Sequence, residues 1–199
     1  MTRQHREDWL RAAAAELSPL FAPTGAVVPD RVRYTCGWPS RGARRSKRQS
    51  VGQCFAPETS ADSTTEVILS MQLDEPAEVL AVLAHELVHA AVGCEHGHGP
   101  RFRRVALAIG LTGKMTSTVA SEAFTRAAAP MLERLGPYPH ASVDAGSVKK
   151  QGTRMIACVC PECGYKARTT RNWLESAGAP LCPTHKIPMR TPKDYQEAE

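Results

Sequence analysis

His85, Glu86 and His89 fall together in the run Ala84-His85-Glu86-Leu87-Val88-His89-Ala90. On a helix, residues four apart share one face a single turn apart. Two imidazoles so placed can reach one zinc ion at about 2.0–2.1 Å. Glu86 reaches a metal-bound water rather than the metal. Zinc lowers the pKa of such a water to about 7, and a carboxylate beside it takes the proton as the water attacks a carbonyl, then hands it to the leaving amine. The HExxH pattern therefore reads as metal-assisted peptide hydrolysis. Leu87, Val88, Ala90 and Ala91 make this a buried helix, where unpaired polar groups are costly and a metal supplies the missing partner. The competing reading is a pair of core histidines bonded to backbone.

Catalytic zinc keeps three protein ligands and one open position. Glu95, His96 and His98 are the downstream candidates. The compact metzincin pattern needs Gly at 92 and His at 95, where this chain has Val92 and Glu95. Spacing does not separate His96 from His98, although His98 precedes Gly99-Pro100-Arg101-Phe102, where a turn meets a helix start.

A second cluster has the spacing of a closed zinc site. Cys160-Pro161-Glu162-Cys163-Gly164 and Cys182-Pro183-Thr184-His185 each place two ligands two residues apart, and a Cys₃His set is structural rather than catalytic. Cys158 competes with Cys160, and Pro161-Glu162 favours Cys160. Such a module has almost no core, so metal binding supplies its folding energy. Two zinc ions, one catalytic and one structural, are expected. Seven cysteines with ligand spacing imply a reducing compartment rather than disulfides. Cys36, Cys54 and Cys94 read as small buried hydrophobes.

Two basic sets are candidates for phosphate contacts. Arg44, Arg45, Lys47 and Arg48 follow Arg41 in a Gly/Ser-containing stretch, and Lys166, Arg168 and Arg171 lie between the halves of the Cys cluster, after Lys149, Lys150 and Arg154. Trp173 there can stack a base, but with Leu174 it reads better as the module's small core.

The elements that must position these groups follow from periodicity. Trp9, Leu10, Ala13, Ala14 and Leu17 predict a helix over 3–17. Val32 to Trp38 and Val51 to Phe55 read as two strands of a hairpin joined by the basic loop, and Glu66 to Ser70 as a third. Pro76 at a first helical position and Gly93 as terminator bound the HExxH helix. Further helices are expected from Pro100 to Gly110 and over 117–135, the latter kinked at Pro130. Residues 136–152, rich in Gly, Pro and small polar residues, read as a linker. The resulting domains are 1–135, a module over 153–191 and a tail over 192–199. No run of eighteen apolar residues exists, so no membrane helix is expected, and MTRQHREDWL lacks the apolar segment of a secretory signal.

HELVHA followed by HGPRF resembles the SprT-like metallopeptidases, which include the Spartan proteases acting on DNA–protein crosslinks. That family carries HExxH on one helix and a third His in an HG-x-x-F/W segment opening the next, which matches His85, Glu86, His89 and His98-Gly99-Pro100-Arg101-Phe102. The resemblance selects His98 over His96. It extends upstream through Gly52-Gln53-Cys54 and Glu66-Val67-Ile68-Leu69-Ser70, and bacterial and phage-encoded members carry a C-terminal zinc ribbon like the one at Cys160 to Gly164. The segment between His89 and His98 is short, residues 111–150 match nothing in the family pattern, and the fourth ribbon ligand is His.

An α+β fold is therefore expected: a zincin-like metallopeptidase domain with a small antiparallel sheet and an active-site helix, followed by a zinc ribbon. The resemblance implies a protein substrate, proximity to DNA (single-stranded or crosslinked), and a cytoplasmic location, nucleoid-associated or in a host cell if phage-encoded. The rival is a nucleic-acid-binding or transcription-associated zinc protein whose peptidase site is incidental or inactive.

Overall fold

Apolar residues at helical spacing form helix α1 (Arg6–Leu17), whose Trp9, Leu10, Ala13 and Leu17 are fully buried. The computed structural model describes residues 5–40, 50–144 and 155–191. The fold is mixed α+β, and the chain divides into two compact units, Met1–Val148 and Lys149–Glu199.

In the first unit, strands β1 (Val32–Gly37), β2 (Gly52–Phe55) and β3 (Thr65–Ser70) form one sheet in the order β1-β3-β2. The hairpin expected between β1 and β2 does not form. Strand β3 inserts between them, parallel to β1 with Tyr34 opposite Val67, and antiparallel to β2 with Cys54 opposite Val67. Its pattern explains the central place: Val67 and Leu69 are almost fully buried, whereas β1 and β2 are half-exposed. The sheet is therefore mixed, not antiparallel.

Helix α2 (Pro76–Val92) begins with Pro76 in its first turn and ends at Gly93, whose φ of 98° closes the helix with a bond from its N–H to His89 O. Val79, Leu80, Leu83, Ala84, Leu87 and Val88 are fully buried, so α2 runs through the unit's interior. Packing against it fixes its rotation, and with it the face that carries His85 and His89. Helix α3 (Pro100–Ala108) contributes Phe102, Val105 and Ala106 to the same core.

The helix expected over 117–135 begins later. Leu111–Lys114 and Ser117–Ala120 form a hairpin, β4 and β5, in register Leu111 to Ala120 and Gly113 to Thr118. Thr116, Thr118 and Val119 are β-branched, which favours a strand over a helix. Ser121 then accepts a bond from Phe124 N–H through its hydroxyl, capping helix α4 (Glu122–Leu135). Pro130 lies inside α4 without ending it.

The expected linker also differs in its described half. Gly136 O accepts from Trp9 Nε1 at 3.2 Å, and Tyr138, 6 % exposed, sets its ring edgewise on Trp9 with centroids 5.0 Å apart. His140 Nε2 donates to Met71 O at 2.8 Å while Arg6 donates to its Nδ1 at 3.0 Å. Val143 N–H and the Ser142 hydroxyl bond Met71 O and Gln72 O. Residues 136–144 are thus a strap fastened to the first unit, because one buried aromatic and paired backbone outweigh a linker-like composition.

The second unit pairs β6 (Ile156–Val159) with β7 (Lys166–Thr169) antiparallel and adds helix α5 (Arg171–Ala177), capped by the Thr170 hydroxyl. No helix among the described residues is long and apolar enough to cross a membrane.

If the strap is structural, Tyr138→Ala should lower first-unit stability by about 3 kcal/mol, the scale of emptying a buried aromatic site. Urea unfolding of the full chain measures it. A free linker would leave the midpoint unchanged.

Candidate metal centres

His85 and His89 stand one turn apart on α2, and His98 is brought back to them by a glycine-rich turn. After Gly93 the chain makes a single 3-10 turn over Cys94–His96 and passes Gly97 at φ 48°, ψ −134°, a conformation that L side chains avoid. His98 then precedes Gly99, from which α3 starts. The result is a convergence of ring nitrogens: His98 Nε2 lies 3.2 Å from His85 Nε2 and 3.2 Å from His89 Nε2. The three residues form a group that could hold a metal ion.

His96 takes no part. Its Nε2 meets Arg101 at 3.0 Å and Glu95 at 3.4 Å on the surface. The turn thus brings His98, and not His96, to the other two rings.

Phe102 forms the floor. Its fully buried ring lies 4.9, 4.4 and 5.0 Å from the rings of His85, His89 and His98, centroid to centroid. Its position in the first turn of α3 is what sets it beneath all three rings. His85 is further held by Thr118 of β5, whose Oγ1 lies 2.8 Å from His85 Nδ1. Nothing in the sequence points to Thr118, because strand β5, which carries it, falls within the span that reads as helix.

Burial sets the charge states. The pKa of His85 is pushed down to about 4 by burial and then by His98, and that of His89 to about 3 by burial with His85 and His98 adding. The rings are therefore neutral at pH 7, as metal ligands must be. Glu86, 5 % exposed, is pushed the other way, up to about 8, by burial foremost and the neighbouring Cys94. Its carboxylate packs against the backbone of β2 at Gly52. A Cβ there would lie 2.9 Å from Glu86 Cδ, closer than side chains pack, so the position admits only glycine without moving the carboxylate.

Cys54 packs half-buried against the core, as a small hydrophobe would, and Cys94 is half-buried beside it. Cys36 is buried, but these two are only partly so, and their sulfurs share a hydrogen bond at 3.2 Å. That bond raises the Cys54 pKa, with burial adding, and lowers that of Cys94.

The second unit gathers Cys160, Cys163, Cys182 and His185 into another group that could hold a metal ion. His185 Nδ1 lies 3.7 Å from the sulfurs of Cys160 and Cys182, and the Cys163 and Cys182 sulfurs are 3.8 Å apart. Two equivalent knuckles build it. In the first, Cys160 N–H bonds Tyr165 O and Gly164 N–H bonds Cys160 O; in the second, Cys182 N–H bonds Ile187 O and Lys186 N–H bonds Cys182 O. Gly164 has φ 70° and its counterpart Lys186 has φ 56°, so the second knuckle holds a lysine in the left-handed region. Backbone N–H groups, His185 foremost, pull the Cys182 thiol down to about 6. Cys158 is fully buried in the small core with Leu174 and Met189 rather than in the ligand group.

Trp173 is not core: it is 65 % exposed, while Leu174 beside it is buried. Helix α5 turns Leu174 inward, which forces its neighbour out. Lys166 and Arg168 alternate along β7 on its exposed side, and Arg171 opens α5. Arg44, Arg45, Lys47 and Arg48, like Lys149, Lys150 and Arg154, lie outside the described residues.

No protein-family model, curated protein or solved structure matches the chain.

The Glu86 shift has a measurable sign. Between its ordinary value of 4.5 and about 8 the folded chain holds the proton more tightly than the unfolded chain. The stabilisation is complete below pH 4.5 and lost as pH rises through 8. Metal-free Glu86→Gln should therefore melt several degrees above metal-free wild type at pH 8, the gap closing toward pH 4.5. Thermal melts in chelator measure it, and a gap independent of pH would contradict the burial.

Proposed function

We propose that the chain is a zinc-dependent endopeptidase of the SprT-like kind, with a zincin-like first unit and a zinc ribbon as its second. The convergence of three imidazole nitrogens, two of them on α2 beside the buried carboxylate of Glu86, carries this reading. Ligands at about 2.0–2.1 Å in tetrahedral array stand about 3.3 Å apart, close to the 3.2 Å between His98 Nε2 and each of its two neighbours. The sulfur spacing of 3.8 Å between Cys163 and Cys182 likewise suits tetrahedral thiolates at about 2.3 Å. Four protein ligands close the second site, which makes it structural, while three leave the first open.

Zinc bound there would supply an acidified water and polarise the scissile carbonyl. The chain's own part is to place Glu86. Gly52 leaves room for its carboxylate, and the apolar helix around it raises its affinity for a proton, which suits a base that must take one proton and return it. His85 and His89 stay neutral, and with His98 they stand over Phe102. Strand β2 offers a place for substrate. Ser70 N–H bonds Val51 O, so alternation along the antiparallel pair turns the backbone groups of Gly52 and Cys54 away from β3. An extended peptide laid along that edge would pass beside Glu86.

Substrates near DNA, and hence a cytoplasmic, nucleoid-associated role, rest on the SprT-like resemblance alone. The rival reading, a nucleic-acid-binding protein with an idle site, has its own support. Tyr165 and Trp173 are exposed on the second unit together with the basic side chains Lys166 and Arg168, which suits stacking and phosphate contacts.

A cleavage assay on a denatured protein and on a DNA-bound protein, with and without single-stranded DNA, tests both. Glu86→Gln should lose about 10²–10⁴-fold in rate while keeping its metal. A wild type that cleaves nothing in any arm would favour the rival, and full activity in Glu86→Gln would remove Glu86 as base. Zinc content should fall from two per chain to one in His85→Ala, with the fold retained.

A further inference from the structure

From the geometry at His85 we infer that Thr118 is a positioning residue of the first metal centre, the hydroxyl that fixes the tautomer and ring angle of His85. This rests on the reading of that centre as a zinc site.

A neutral imidazole carries one N–H and one lone pair. His85 Nε2 faces His98 Nε2 at 3.2 Å, the side on which a metal would sit, so Nε2 must present its lone pair and Nδ1 must carry the hydrogen. Thr118 Oγ1, 2.8 Å from Nδ1, accepts that hydrogen. Ring flipping would cost this bond and turn an N–H toward the other ligands. Protein groups that bond the far nitrogen of a ligand histidine set its orientation and raise its basicity.

The hairpin is built to hold that hydroxyl still. Leu111 at the start of β4 is 1 % exposed in the core. Gly110, at φ 91°, lets the backbone pass Phe124 so closely that a Cβ would meet Phe124 N at 3.0 Å. Ser121 ends β5 by capping α4, and Ser121 N–H bonds Gly110 O, closing the base of the hairpin. Thr118 is half-buried while Ser117 and Val119 beside it are exposed, so strand alternation aims it at α2. A neutral hydroxyl, unlike a carboxylate, orients the ring without adding charge.

Zinc affinity of the full chain, measured by competition with a chromophoric chelator, tests the assignment without using activity. Thr118→Val keeps the shape and removes the acceptor, and should weaken the first site about 10–100-fold while leaving the second site and the metal-free melting temperature unchanged. Thr118→Ser should restore affinity close to wild type. Wild-type affinity in Thr118→Val, with both sites filled, overturns the role of Thr118 alone, as does a Thr118→Ser variant as weak as Thr118→Val. Wild type that binds zinc only at Cys160, Cys163, Cys182 and His185 overturns the zinc reading of the first site and Thr118 with it.

Discussion

The first unit turns on one convergence, in which His98 Nε2 stands 3.2 Å from the Nε2 of both His85 and His89. Burial holds His85 and His89 neutral, while His98 meets them from the exposed side. Everything around His85, His89 and His98 serves to keep that arrangement in place. An interior α2 fixes two of the rings by its own rotation. The turn through Gly97 reverses the chain to deliver the third, and Phe102 supports all three from below.

Glu86 is an expense in the same place. A carboxylate 5 % exposed inside an apolar helix is costly to ionise, and the fold leaves it there against the backbone of β2, where Gly52 has no side chain to push it aside. Local rules broken together at one spot usually mark function rather than poor packing. The neutral histidines and the proton-hungry carboxylate have opposite shifts from one cause, burial, and opposite shifts within a few ångströms suit a centre where a cation is bound and a proton moves.

The parts of this centre set by local sequence were legible. The helix around His85 and His89 declares itself through Pro76, Gly93 and an apolar stripe, and the twin knuckles through the Cys160-x-x-Cys163 and Cys182-x-x-His185 spacing. What depends on distant pairing was not. Strand β3 lies between β1 and β2 because only its Val67 and Leu69 are apolar enough for the central position, a comparison no local window makes. Strand β5 reads as helix because the strong period of α4 extends backward across Ser121, whose capping hydroxyl marks the true start. Thr118 was lost with it. Residues 136–144 look like a linker by composition, yet Tyr138 finds a place on Trp9. Trp173 was assigned to the small core when Leu174 already filled it.

The most direct measurement is a crystal structure of the zinc-loaded chain with an anomalous difference map at the zinc edge. A peak about 2.0–2.1 Å from His85 Nε2, His89 Nε2 and His98 Nε2, with Glu86 turned toward its open side, is the expected result. Zinc found only at the Cys160 cluster, with the three rings turned apart, would contradict the account.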